Sequence, residues 1–192
     1  LNIRFTPNSK GTATLNPDFS QIEGDVAQVD LNQRFAFYYP ERRPFFLDNM
    51  DLYSDGGSTL YSRSIVEPLY GLKLSGQEGR HGFAILQAMD MSPGASVHEF
   101  GTPGFSEEEL EDAMASNLYL RYRRNIAETG LAGVYLSDKR VLGPPGGGLD
   151  QKASSNTAGA DVVLPFSDDW TLYWHGKGSR AGTEEELLDG FG

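Results

Sequence analysis

The sequence predicts an all-β chain, a run of antiparallel hairpins of the outer-membrane β-barrel type, and three observations carry that expectation. Apolar and polar residues alternate through paired runs after Tyr70. The connections between those runs are alternately short and long. Before them, residues 16–48 crowd carboxylates, amides, aromatics and Pro-flanked arginines together with no regular period.

Taken in order, residues 2–15 read as a short hairpin. Ile3 and Phe5 alternate with polar neighbours, and Pro7, Asn8 and Gly11 supply turn chemistry. Residues 16–64 form the irregular segment, expected to be luminal or periplasmic. In the first hairpin unit Tyr70, Leu72 and Leu74 face away from Lys73 and Ser75, a tight turn covers 77–81, and 82–89 returns before a long loop over 90–116. In the second, Leu118, Leu120 and Tyr122 oppose Tyr119, Arg121 and Arg123, 125–129 connects, and 131–136 returns into a loop over 137–157. In the third, Ala160, Val162 and Leu164 precede a turn at Ser167, Asp168 and Asp169, after which Trp170, Leu172 and Trp174 alternate with polar residues until a loop opens at Ser179. Helix is expected at most as one turn in 106–115, where Ser106 could cap an acidic first turn. About six strands are visible, fewer than the ~8 of the smallest closed barrels, so residues 1–192 read as one all-β region of a larger barrel, with hairpins over 65–192. The termini at Leu1 and Gly192 likewise read as cuts in a longer protein.

The polar side of these strands carries Lys73, Arg121, Arg123, Asp161, His175 and Lys177, the candidates for charges lining an enclosed interior. Tyr70, Tyr122, Tyr135, Phe166 and Trp170 lie near strand ends, as aromatics do at bilayer interfaces. A soluble sandwich would alternate in the same way, so the loop asymmetry does most to separate the two.

Composition narrows the function classes. A net charge of -11, from 27 acidic and 16 basic residues, argues against a nucleic-acid partner, because phosphate binding needs clustered cations. The acidic excess concentrates at Glu107, Glu108, Glu109, Glu111 and Asp112 and at Glu184, Glu185, Glu186 and Asp189, simplest as solvated loops. There is no cysteine, hence no disulfide, thiolate metal site or cysteine nucleophile. No run approaches the ~20 apolar residues of a membrane-spanning helix, so contact with a bilayer requires a closed barrel.

The ordered pieces Asn16-Pro17-Asp18-Phe19 with Gln21, Glu23 and Asp25, then Asn32, then Pro40-Glu41-Arg42-Arg43-Pro44-Phe45-Phe46-Leu47, then Tyr61-Ser62-Arg63, resemble a bacterial family of unknown function. Members of that family typically join an N-terminal domain like the family-9 carbohydrate-binding modules to a C-terminal region expected to be an outer-membrane barrel. The resemblance covers about the first third of the chain. Asp48 stands where a glutamate is expected and Ser64 where a second arginine is. It implies a whole protein that handles glycans, with the carbohydrate-binding portion outside these residues.

Asp18, Glu23, Asp25 and Asp30, beside Asn16 and Gln21, offer hard oxygen ligands for calcium, but lack the register and central glycine of an EF-hand loop. The plainer reading has them capping turns and pairing with Arg34, Arg42, Arg43 or Arg63. Glu23 and Glu41 are the best pair for glycoside hydrolysis, and both also fit charge networks with arginine. Glu41 to Phe46 reads as structural: Pro40 and Pro44 fix the backbone, the phenylalanines anchor, and the arginine forks are expected to bridge carboxylates of neighbouring strands, with gating as the functional variant. His81, His98 and His175 lack metal-ligand spacing, no serine sits in a nucleophile elbow, and the glycine-rich 143–148 stretch lacks the Lys-Ser or Lys-Thr of a phosphate loop.

The expected function is therefore a structural or transport role in the bacterial outer membrane, with lipid and possible glycan partners and no cofactor beyond a weak calcium candidate. A soluble all-β module binding carbohydrate or calcium is the alternative, and a glycan hydrolase comes last.

Overall fold

The structure, a computed structural model, describes residues 1–16, 41–54, 60, 62, 65–91, 113–126, 129–143 and 151–183, excepting the side chains of 151, 152 and 183. Among the described residues it is all-β apart from two single α-helical turns and a 3-10 position at Ser62. The strands are β1 (Asn2–Thr6), β2 (Ser9–Leu15), β3 (Pro68–Glu78), β4 (His81–Asp90), β5 (Met114–Ile126), β6 (Gly130–Leu142), β7 (Gln151–Pro165) and β8 (Thr171–Thr183). They form one antiparallel meander of eight strands, each paired with its sequence neighbours. β1 and β8 are its two edges, so the sheet is open and not closed into a barrel.

Eight strands replace the expected six because β2 pairs directly with β3, with Leu15 opposite Tyr70 and Ser9 opposite Gly76. The predicted hairpin boundaries hold at the short turns and fail at the long ones. β3 and β4 meet over Gly79 and Arg80, where Gly79 takes a φ of 58° that glycine accepts without strain. At the other end β6 runs to Leu142, β7 starts at Gln151 and β8 reaches Thr183, so most of the expected loop over 137–157 is strand, as are residues 114–116 and 180–183 of the other two. Residues 137–140 and 154–157 are polar on both sides of the sheet, and an apolar period of two cannot mark a stretch that has no apolar side. The expected helical turn in 106–115 is strand at its end, since β5 begins at Met114; residues 106–112 lie outside the described residues. The helices are instead α1 (Pro44–Leu47) and α2 (Met50–Tyr53), inside the segment predicted to be irregular. Pro44 opens α1 with its φ already set for a helix and no N–H to lose.

Register sorts the side chains onto two faces. One row runs Lys10, Ser75, Ala84, Arg121, Tyr135, Gly159 and Lys177, the next Thr12, Lys73, Leu86, Tyr119, Ser137, Thr157 and Ser179. This face is polar except beneath the helices. The opposite face carries Leu74, Ile85, Leu120, Leu136 and Ala158 in one row and Phe83, Tyr122, Val134 and Ala160 in another. The core lies on the polar face, where Phe46, Leu52, Tyr53 and Ile65 of the 41–65 segment pack against Ala84, Leu86, Ala88, Tyr119 and Tyr135. Burying a side chain such as Phe46 contributes about 1.5–3 kcal/mol. No second layer covers the apolar face among the described residues: Leu72, Val134, Leu136, Leu172 and Trp174 stay 41–54 % exposed.

Candidate functional site

The most elaborated part of the molecule is the polar face with the described residues of 41–67 (41–54, 60, 62 and 65–67) laid on it, here called the brace. β2 ends and β3 begins at the end of the sheet that also carries the β4–β5 and β6–β7 connections, so the brace is rooted at the long-connection end. It reaches nearly to the short turns, where Arg123 donates from Nη1 to the Asp51 carbonyl at 3.1 Å.

The sheet holds the brace largely through the brace's backbone. Lys73 Nζ donates to the carbonyls of Phe45 at 2.9 Å, Phe46 at 3.1 Å and Asp48 at 2.6 Å, satisfying oxygens that a one-turn helix leaves free. The same ammonium sits 4.6 Å from the Tyr53 ring centroid. Tyr119 donates its hydroxyl to the Tyr53 carbonyl at 2.9 Å, and Tyr53 donates its own to the Ile85 carbonyl at 2.9 Å. Burial pushes the Tyr53 hydroxyl pKa up, so it remains a donor. Fully buried Asp90 accepts from the backbone N–H groups of Val66 at 3.0 Å and Glu67 at 2.7 Å, fixing the point where the brace becomes β3. Lys10 pairs with Asp48 at 2.5 Å, and Asn49 donates to Ser75 Oγ at 3.0 Å. Phe45 lies over Gly71, where a Cβ would come within 2.7 Å of its ring.

The brace has its own centre. Arg43, 1 % exposed, donates from Nε to Glu41 Oε1 at 2.9 Å, from Nη2 to Glu41 Oε2 and the Ser62 carbonyl at 2.8 Å each, and from Nη1 to the Ile65 carbonyl at 2.6 Å. Its guanidinium also stacks 4.2 Å from the Phe46 ring centroid. Ser62 Oγ donates to Glu41 Oε2 at 2.6 Å. Burial raises the Glu41 pKa, but the hydrogen bonds from Arg43 and Ser62 and the Arg43 charge outweigh it and hold the group at about 2. Arg43 was expected to bridge carboxylates on neighbouring strands; it pairs instead with the glutamate two residues before it, because Pro44 turns the chain into α1 and keeps Glu41 within reach. Glu41, encased this way, has both carboxylate oxygens occupied.

Beyond the brace, Arg121 of β5 and Asp161 of β7 form a bidentate pair at 2.7 and 2.9 Å across β6. Gly133 of β6 lies beneath, and a Cβ there would stand 2.8 Å from Asp161 Oδ1 and 2.9 Å from Arg121 Nη2. Tyr135 lies over Gly159 in the same manner and meets His175 Nε2 at 2.8 Å, its ring stacked 5.8 Å from the imidazole. Sequence reading missed both glycines as strand residues with a packing task. Gly133→Ala is expected to part the Arg121–Asp161 pair and lower stability by about 1–3 kcal/mol, read from urea unfolding; an unchanged midpoint counts against the requirement for glycine.

The register brings Lys73, Arg121, Arg123, Asp161, His175 and Lys177 onto one face, Lys73 and Arg123 against the brace and the others further toward β8. Of the other predicted residues, Glu41 and Arg43 meet in the brace, while Arg42 is exposed. Asn16 turns β2 outward with a φ of 39°, its N–H donating to the Leu69 carbonyl at 2.7 Å. Asp18, Gln21, Glu23, Asp25, Asn32 and Arg63 lie outside the described residues, and the calcium candidates with them. Among the described residues no group of three or more His, Asp or Glu side chains is placed to hold a metal.

Residues 8–78, from the β1–β2 turn through the brace to the end of β3, match the family model of a domain of unknown function (DUF5916). No curated protein and no solved structure matches the chain. The match spans the brace and the strands it first leans on, and it carries no carbohydrate-binding assignment.

Proposed function

We propose that this chain is part of an outer-membrane β-barrel with a structural or transport role, its apolar face against lipid acyl chains and its polar face, with the brace, turned to an enclosed interior. The observation that carries the reading is the inversion of the faces: the side that is covered and hydrogen-bonded is polar, while the bare side is a band of Leu, Ile, Val, Phe and Trp. In water such a band would be a liability, whereas in a bilayer it is the solvent-facing side.

Further features agree with it. On β5 the outward apolar residues Leu118, Leu120 and Tyr122 run for roughly 14 Å along the strand and are bounded by the polar Ser116 and Arg124. Exposed Phe166 and Trp170 cluster at the short β7–β8 turn, and outward Asp138 and Arg140 mark the opposite end. By the usual orientation the brace then enters from the external, long-loop side. Closure requires the two edges to meet each other or further strands. Glycan handling, suggested by the family resemblance alone, would belong to other parts of a longer protein.

The chain has two tryptophans, both exposed on one hairpin, which makes the test direct. Trp174 lies four residues along the strand from Trp170, roughly 10 Å deeper after tilt. In phosphatidylcholine vesicles, a Trp170→Phe variant should be quenched best by lipids brominated deep in the chain and a Trp174→Phe variant by lipids brominated near the headgroup. Absence of quenching in both, together with a monodisperse particle in detergent-free buffer, overturns the reading in favour of a soluble all-β module.

A further inference from the structure

The two edges of the described sheet are built differently. β1 is five residues long and its ladder to β2 shifts register between Arg4 and Thr6. Short, kinked edges resist the addition of another strand. β8 pairs with β7 through thirteen residues, from Thr171 opposite Pro165 to Thr183 opposite Ala153, with no proline and no register shift. Every second residue of such a ladder turns its N–H and C=O toward the outer side, so β8 presents a long, regular row of backbone donors and acceptors.

Within the sheet, a strand glycine marks a place where the neighbouring strand sends a large side chain. Gly76 lies under Phe83, Gly82 under Arg123 and Gly159 under Tyr135, each the residue directly opposite in register. A Cβ at Gly76 would come within 2.9 Å of the Phe83 ring, and one at Gly82 within 2.8 Å of the Arg123 stem. Gly178 of β8 departs from this. Its opposite residue on β7 is only Ala158, and no described atom beyond its chain neighbours lies within 4 Å of where its Cβ would stand. Leu136, Ala158 and Gly178 occupy one row of the apolar face and line a depression of about 340 Å³ there. Since β7 supplies no cover, a side chain over Gly178 has to come from beyond β8.

We propose that the free edge of β8 is a docking site for a further antiparallel strand, one that carries a large apolar side chain opposite Gly178 and seats it in the depression over Ala158. The backbone row supplies the affinity of such an addition and the depression selects the side chain. In a barrel this is where the wall continues, a consequence that rests on the reading above; the pairing itself needs only the sheet.

A synthetic peptide with the sequence of residues 151–165 is a suitable probe, because β7 already pairs antiparallel with β8 and contains no tryptophan. In a detergent-solubilised Trp170→Phe chain, the emission of Trp174 then reports on β8 alone. The peptide carrying Ala158→Leu is expected to bind about tenfold or more tightly than the unchanged peptide, because its leucine is buried in the depression. On a chain carrying Gly178→Leu, whose own side chain occupies that space, the preference should fall to within about twofold. Gly178→Ala, a smaller change at the same open position, should give a preference between the two. Failure of both peptides to bind, or a preference that survives Gly178→Leu, overturns the proposal. So does a dimer that forms without peptide and is lost in Gly178→Leu, since the edge would then belong to a second copy of this chain. The comparison involves no vesicle, so absence of quenching by brominated lipids would count against the barrel reading alone.

Discussion

Val134→Arg is expected to lower folding stability in a lipid bilayer by about 2–4 kcal/mol, the cost of an arginine near the midplane on the lipid side of a barrel strand. Val134 sits mid-strand on β6, 53 % exposed, between Tyr122 and Ala160 on the apolar face. If that face is wet, the same substitution exchanges one exposed side chain for another and changes stability by no more than about 0.5 kcal/mol. The two environments thus differ by several-fold in one number. Thr157→Arg is the control: on the polar face of β7 between Ser137 and Ser179, it should be close to neutral in either setting. Urea titrations of folding into vesicles, followed by tryptophan emission, give both values. Equal costs for the two substitutions would remove the assignment of faces to lipid and interior.

How much of this was legible beforehand follows from what a linear pattern can encode. The hairpins at Tyr70 to Met89 and Leu118 to Leu136 were readable because an apolar residue at every second position needs only local sequence. Their polar extensions were not, since Asp138 and Arg140 on one side and Ser137 and Lys139 on the other give no contrast to detect. The helices Pro44–Leu47 and Met50–Tyr53 escaped because one turn is too short to display a 3.6-residue period. Lys73 could be placed on the polar side, yet its partners are backbone carbonyls, which every residue has and no motif records. Gly133 and Gly159 look like punctuation in a sequence; only the register, which sets Arg121–Asp161 and Tyr135 above them, reveals why a side chain is excluded. The pattern therefore specified the sheet, while the brace is held by interactions that become visible only after folding.

Arg43→Met should be the most damaging single change in the brace, costing about 3–5 kcal/mol, because it removes one partner of a buried ion pair and leaves the other. Glu41 would keep Ser62 and the backbone N–H groups of residues 42 and 43 as donors but lose the guanidinium that takes both its oxygens, in a place where its side chain is 6 % exposed. The sign of the pH dependence separates this cause from lost packing. In the native chain the Glu41 pKa is lowered from 4.5 to about 2, so its contribution is full above about pH 4.5 and is lost as pH falls toward 2. In the variant Glu41 loses the guanidinium that lowers its pKa, so it protonates at a higher pH than in the native chain and the deficit relative to the native chain shrinks on acidification. Pairing the change with Glu41→Gln should restore much of the loss at neutral pH, since an amide needs no counter-charge. Hydrogen exchange of the 41–65 amides measures all three chains. A deficit below about 1 kcal/mol, or one that neither pH nor the second substitution moves, would show that Arg43 acts through its stem on Phe46 and not through its charge.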